Sequence, residues 1–259
     1  MTDVIERHDV ERILADPASL VPEADAAAAR PADRFRARAS RFVNGEVHAA
    51  RRRRLEEFLA TLDVDALAHA AATRASALAH AGADSVAVQV PVACLAEQLG
   101  FAGPDATPAL VAVLAGHYPT GGPSDRADAA LVRLLAAAPP PGRREHRDDA
   151  VLRVQLLVQA CAATAALITA ALRHPGAADD AVPTLELLER VLRETPPVPT
   201  TRRIGPDGGE LVLHLGGPDR GASPAGPRIL AFGAGARSCP APAPALAIAA
   251  AVVDGLRAC

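Results

Sequence analysis

Apolar residues recur three and four positions apart over most of this chain. That spacing predicts helices over residues 46–60, 64–80, 107–117, 126–138, 150–172, 183–193 and 244–256. Shorter helical stretches are expected over 9–14 and 92–99, the first ended by Asp16-Pro17. Asp63 stands just ahead of the 64–80 pattern, where a short carboxylate accepts hydrogen bonds from the free amides of a first turn. The 46–60 helix has a polar face through Arg51, Arg52, Arg53 and Arg54 and an apolar one through Leu55, Phe58 and Leu59. Residues 18–42 are rich in Ala, Pro and Arg without a period and are expected to form a long loop with one helical turn. Pro139, Pro140, Pro141 and Gly142 make a rigid break, and a run of mixed charge follows. The clearest strand is 210–215, between turns of Gly, Pro and Asp. The expected fold is mainly α with little β structure, in a single domain. Its parts are an N-terminal helix and loop (1–45), a helical core (46–199), a short strand region with a cysteine loop (200–243) and a C-terminal helix (244–259).

Composition supports the helical reading. Half of the residues are hydrophobic but only 2% are aromatic, and the apolar mass is Ala, Leu and Val. All 27 basic residues are arginine, yet the net charge is −3, which carries no nucleic-acid signature. Cys94, Cys161, Cys239 and Cys259 form no CxxC pair, which argues against a zinc site or a disulfide framework and for a reducing cytoplasm. The first 14 residues alternate charged with apolar side chains and lack the apolar run of a signal peptide. Residues 156–172 are apolar enough to raise the question of a membrane. Gln159 interrupts them, Arg153 and Gln155 precede them, and the run is short for a span, so a buried central helix is expected.

One stretch carries chemistry. Phe232, Gly233, Gly235, Arg237, Cys239 and Ala241 form a glycine-rich loop that ends in a cysteine just ahead of a helix. Backbone amides and the helix N-terminus there can stabilise a thiolate, and Arg237 adds positive charge. The loop resembles the cysteine-ligand loop of cytochrome P450s, F-G-x-G-x-R-x-C-x-(G/A), at all six fixed positions.

The resemblance continues in family order. His48 and Arg52, four apart on one helical face, resemble the H-x-x-x-R start of the helix that meets a haem propionate. Ala160, Cys161, Ala162, Ala163 and Thr164 align with the A-G-x-D-T segment above the iron, with Thr164 on the threonine that assists oxygen activation. Here Cys161 replaces the glycine and Ala163 the acid. Arg193 through Pro196 and Pro197 resembles the end of the E-x-x-R…PP element, but Arg190 stands where its glutamate belongs, leaving Glu189 and Glu186 as available partners. Thr201 to Ile204 resembles the strand whose arginine, here Arg203, reaches the other propionate.

The match runs over roughly residues 9 to 257. With few residues ahead of Asp9 and a short segment between Arg203 and Phe232, the resemblance leads to the expectation of a shortened fold that lacks the family's N-terminal sheet-and-helix region. What the resemblance implies is a haem b (iron protoporphyrin IX) protein ligated by Cys239, with His48, Arg52, Arg203, Arg237, Phe232, Gly233, Gly235 and Ala160 around the cofactor. The implied reaction is a monooxygenation of a small hydrophobic metabolite, assisted by Thr164, with electrons from a ferredoxin-type donor. The arginines at 51–54 would offer that donor a basic face. Residues 18–42, 107–118 and 160–164 would line the substrate pocket. The competing reading is a non-oxygenating partner that stabilises another biosynthetic enzyme, favoured by Ala163, Arg190 and the shortened shell.

Overall fold

The longest apolar stretch of the chain forms helix α8 (Asp149–Arg173), and the other helices are laid along its two halves. The protein is seen in a computed structural model, which describes residues 1–140, 148–179, 181–221 and 228–258. Ahead of α8 come α1 (Arg7–Ala15), α2 (Pro31–Arg38), α3 (Gly45–Leu59), α4 (Val64–Leu78), α5 (Ala83–Gln98), α6 (Thr107–His117) and α7 (Asp125–Ala137). After it come α9 (Thr184–Glu194) and α10 (Pro242–Arg257).

The first half of α8 buries Val151, Leu152, Val154, Leu157 and Val158 against Phe35 of α2, Leu55 and Phe58 of α3, Val111 and Leu114 of α6 and Leu134 of α7. Its second half buries Ala165, Leu167, Ile168 and Ala171 against Leu67 of α4, Val90 of α5, Leu187 and Leu188 of α9 and Val252 of α10. Each Val, Leu or Ile side chain taken wholly out of water contributes about 1.5–3 kcal/mol, so this central helix is a main anchor of the fold. By length and apolarity α8 could cross a bilayer, but 61% of its apolar window is buried by its neighbours, as a central core helix requires.

A three-stranded sheet lies to one side, in the order β1 (Thr2–Val4), β3 (Glu210–His214), β2 (Thr200–Ile204). β1 runs parallel to β3 and β2 antiparallel to it, with Arg203 opposite Leu211.

The structure departs from the sequence expectation in three places. Residues 18–42 are more ordered than a loop with one turn. Pro31 begins α2, because its missing N–H and fixed φ suit a first helical turn. α5 starts nine residues earlier than the expected 92–99 helix and carries Pro91 inside it, held there by burial of Val86, Ala87, Val90 and Val92. The strand material includes β1 and β2 as well as β3. Part of the expected 139–142 break, the charged run after it up to residue 147, and Cys259 lie outside the described residues.

At α4 the cap is as expected: Ala66 N–H donates to Asp63 Oδ1 at 2.9 Å. Asp63→Ala should therefore lower stability by about 1 kcal/mol in a denaturant titration, with little change in cofactor content. A variant as stable as the parent would mean that the bond to Gln98, whose side chain grips the Asp63 backbone, is what sets this helix start.

Candidate cofactor site

Between Leu230 and α10 the chain folds back on itself. Leu230 O accepts from Gly233 N–H at 2.8 Å, Gly235 O from Ser238 N–H at 3.1 Å, and Phe232 O from Cys239 N–H at 2.7 Å. Both glycines sit at positive φ, +70° and +67°, where a side chain is strained. Gly235 has a second reason to be bare: a Cβ there would stand 2.6 Å from Leu14 O and 2.8 Å from Ala15 Cα. The loop so shaped delivers the Cys239 sulfur to the start of α10, where Ala241 N–H donates to Sγ at 3.4 Å.

The electrostatics of this sulfur differ in one respect from expectation. Burial holds the Cys239 thiol above its ordinary pKa, while Ala241 N–H and the Arg52 guanidinium pull it down. The cation beside the sulfur is thus Arg52, not Arg237. Arg52 donates from Nη1 to Ser238 O and from Nε to Glu56 Oε1 at 2.6 Å. Arg237 turns the other way, donating to Val43 O at 2.7 Å and Asn44 Oδ1 at 2.8 Å. A proton therefore sits on the free sulfur at neutral pH, and a metal ion binding there has to displace it.

His48, Arg52, Arg203 and Arg237 come from three distant segments and meet here. His48 is only 9% exposed and feels Arg237, Arg52 and Arg203 together. Burial first, then these three charges, lower its pKa to about 4, so it is neutral at physiological pH. Arg203 is 5% exposed and donates to Arg202 O at 2.8 Å and Thr201 Oγ1 at 3.2 Å; among the described residues no carboxylate pairs with it. Burial and the nearby Arg237 and Arg41 bring it down to about 10, still a cation at neutral pH. Buried charge of one sign is costly unless an anion joins it. Among the described residues Arg203 therefore stands as a buried cation whose charge no carboxylate answers.

On α8, Ala160 and Thr164 are four residues apart and share a face. Thr164 is 5% exposed; Cys161 belongs to the core cluster of the first half of α8, and burial raises its thiol. Ala163 leaves no acid beside Thr164. The expected pocket segments are packed together: Phe35 and Phe42 lie 5.6 and 5.0 Å from the Tyr118 ring, and Gln159 of α8 donates to Tyr118 Oη at 3.1 Å. Two cavities flank these segments, and the second of them is lined in part by Pro31, Arg34, Phe35 and Arg38 of the 18–42 stretch. One of about 520 Å³ lies between Ala81–Ser85 and the end of α8, and one of about 270 Å³ lies between α2 and α7. Neither of these two is lined by Thr164 or Cys239.

α9 resolves its arginine pair internally. Arg190 bonds Glu186 and Arg193 bonds Glu189, each at i,i+4, as the sequence allowed. The 51–54 run is mostly committed inside the fold. Arg51 donates to Ala37 O and Ala39 O, and Arg54 pairs with Asp149 and Glu57. Of the four, Arg53 is the exposed one, so the basic face expected for a redox partner is smaller than the sequence implied. Sequence reasoning also missed Arg41, which adds charge beside Arg203. No local pattern distinguishes it from the other arginines of residues 30–41.

No protein-family model and no curated protein matches the sequence. Solved structures do match the fold. P450BioI, in complex with an acyl carrier protein ligated to hexadec-9Z-enoic acid, superposes with a TM-score of 0.74 at 16% identity, over 98% of this chain and 83% of that one. P450 OxyD, involved in the biosynthesis of vancomycin-type antibiotics, gives 0.71 at 17% identity, over 99% and 81%. A cytochrome P450 from the thermoacidophilic archaeon Picrophilus torridus gives 0.69 at 17% identity, over 97% and 86%. The chain has the cytochrome P450 fold.

Proposed function

We propose that this protein is a haem-thiolate monooxygenase acting on a small hydrophobic metabolite, with haem b as cofactor and a ferredoxin-type protein as electron donor. The observation that carries the reading is the joint placement of Cys239 and a cationic cluster in which Arg203 is buried without a carboxylate partner among the described residues, with half-buried Arg52 bonded to the residue next to the cysteine and half-buried Arg237 close to His48. The residues present fit a haem: one sulfur with a lowering amide and cation beside it, and buried donors suited to two propionates. An iron porphyrin held by the Cys239 thiolate would supply electron density that favours O–O cleavage.

The chain's own residues then have separable tasks. Cys239 is the ligand, and Ala241 N–H steadies its negative charge. Arg203, Arg237, Arg52 and neutral His48 hold the acidic edge of the cofactor. Ala160 leaves room on α8, and Thr164 offers a hydroxyl that can hold or pass on a proton. The acyl-carrier-protein complex of one similar structure and the antibiotic pathway of another support a biosynthetic setting. The alternative, a non-oxygenating partner protein, is favoured by Ala163, which cannot reload a proton on Thr164.

The two readings separate on coupling, measured as product formed per reductant consumed. General acid–base assistance is worth about 10²–10⁴-fold, and part of that relay is missing here. The wild type should turn over slowly and release peroxide. Ala163→Asp should raise coupling, and Thr164→Ala should lower it further at unchanged haem content. Equal coupling in all three would make Thr164 a packed core residue and the non-oxygenating reading the better one.

A further inference from the structure

Helix α1 is only nine residues long, yet it meets the cysteine loop and its supports at both ends. At its start Arg7, 5% exposed, donates from Nη1 to Arg228 O and from Nη2 to Arg193 O, both at 2.6 Å. Its backbone N–H donates to Pro218 O at 2.9 Å. One guanidinium therefore joins the end of α9 to the segment that leads through Leu230 into the loop. Its Nε is buried without a partner, and among the described residues no carboxylate pairs with it, so the group is fully given over to this tie.

The rest of α1 continues the contact. Glu11 accepts from Arg228 Nη1 at 2.8 Å, and Asp219 grips the same arginine through its backbone N–H at 2.8 Å and Nε at 3.1 Å. Val10 and Leu14 pack with Leu213, Leu215 and Leu230, with Ala234 of the loop against them. At the helix end, Leu14 O and Ala15 press on Gly235 so closely that no side chain fits between. The α9 arginines meanwhile bond glutamates of α9 itself. A side-chain bond between the end of α9 and the lead-in to the loop is therefore supplied by α1.

We propose that α1 is a brace for the cysteine loop, and that Arg7 is a positioning residue for Cys239. A buried guanidinium on two carbonyls of separate segments sets their spacing, because its planar fork fixes both bonds at once. Removing it leaves two half-buried carbonyls without this donor and frees the loop to open without unfolding the helical core. The proposal rests on the haem-thiolate reading only for what the loop carries.

The test is the rate at which a thiol reagent labels each cysteine, mapped by mass spectrometry on protein prepared without haem. Arg7→Gln should speed labelling of Cys239 by about tenfold or more, through local opening, with Cys94 and Cys161 little changed. Arg7→Lys should recover part of the protection, since an ammonium keeps the charge but not the fork. Val111→Ala, buried in the α6 core, serves as the control for general destabilisation and should leave the Cys239 rate near that of the wild type. Should Arg7→Gln fail to fold, Val10→Ala carries the same expectation at smaller size. Equal acceleration at all three cysteines, or an effect on Cys239 no larger than that of Val111→Ala, overturns the brace. Because the assay uses no haem, a chain that never takes up cofactor would sink the haem reading and leave this one standing.

Discussion

Cys239→Ala should abolish the red-shifted carbonyl Soret band of a thiolate-ligated haem, while Cys94→Ala and Cys161→Ala should keep it. The expected loss is complete, because among the described residues neither Cys94 nor Cys161 is placed to substitute. Cys94 is 1% exposed and burial pushes its thiol up to about 11; Cys161 is 5% exposed and raised by burial alone. Both are core residues, locked in apolar clusters on α5 and α8. Cys239 is only partly buried, has an amide aimed at its sulfur and has Arg52 nearby. Its thiol is still raised, so the proton leaves when metal binds, and cofactor uptake should release a proton and weaken as pH falls. Cys239→Ser should behave like the alanine variant, since a hydroxyl gives up its proton far less readily than a thiol. A mutant that retained the shifted band would place the ligand elsewhere.

The second large effect concerns Arg203. Replacing one partner of a buried, hydrogen-bonded charge pair costs about 2–5 kcal/mol, a weakening of roughly 30-fold to a few thousand-fold. Arg203→Gln should therefore raise the haem dissociation constant by a factor in that range, measured by haem transfer to an acceptor protein. Arg237→Gln should weaken it less, because Arg237 spends its Nη2 on Val43 O and Asn44 Oδ1. Without haem the same substitution should stabilise the fold or leave it unchanged, because it removes a buried cation facing Arg237 and Arg41. That opposition of sign separates an anion-receiving site from an ordinary structural arginine.

His48 adds a pH signature. Its pKa falls from the ordinary 6.5 to about 4 on folding, so below pH 6.5 the unfolded chain binds the proton that the folded one excludes. Stability without cofactor should thus be full above pH 6.5 and decline as pH drops toward 4, with a shallower slope in His48→Asn. An unchanged slope would remove His48 from the cluster.

How far the sequence carried this account varies with the kind of information involved. Helices α3, α4, α6 and α8 follow from apolar spacing, and the Asp63 cap from a short carboxylate before it. The cysteine loop was legible because its glycines answer a purely local demand for positive φ. Proline misled in both directions: Pro31 starts α2 and Pro91 lies inside α5, since a first turn needs no N–H from it and tertiary burial outweighs a lost bond. The convergence of His48, Arg52, Arg203 and Arg237 came only through resemblance, because residues about 190 positions apart share no period. The direction of Arg237, the nearness of Arg52 to the sulfur and the tie made by Arg7 were invisible for a related reason. With every basic residue an arginine, side-chain identity does not tell one task from another, and only the fold assigns them.

The central claim is that Cys239 holds a haem as its thiolate ligand. The direct measurement is the absorption spectrum of the protein, expressed with ample haem supply, then reduced and exposed to carbon monoxide. The account predicts one haem per chain and a strongly red-shifted Soret band that Cys239→Ala lacks. A colourless protein, or a carbonyl band at the unshifted position of a neutral ligand, would contradict it.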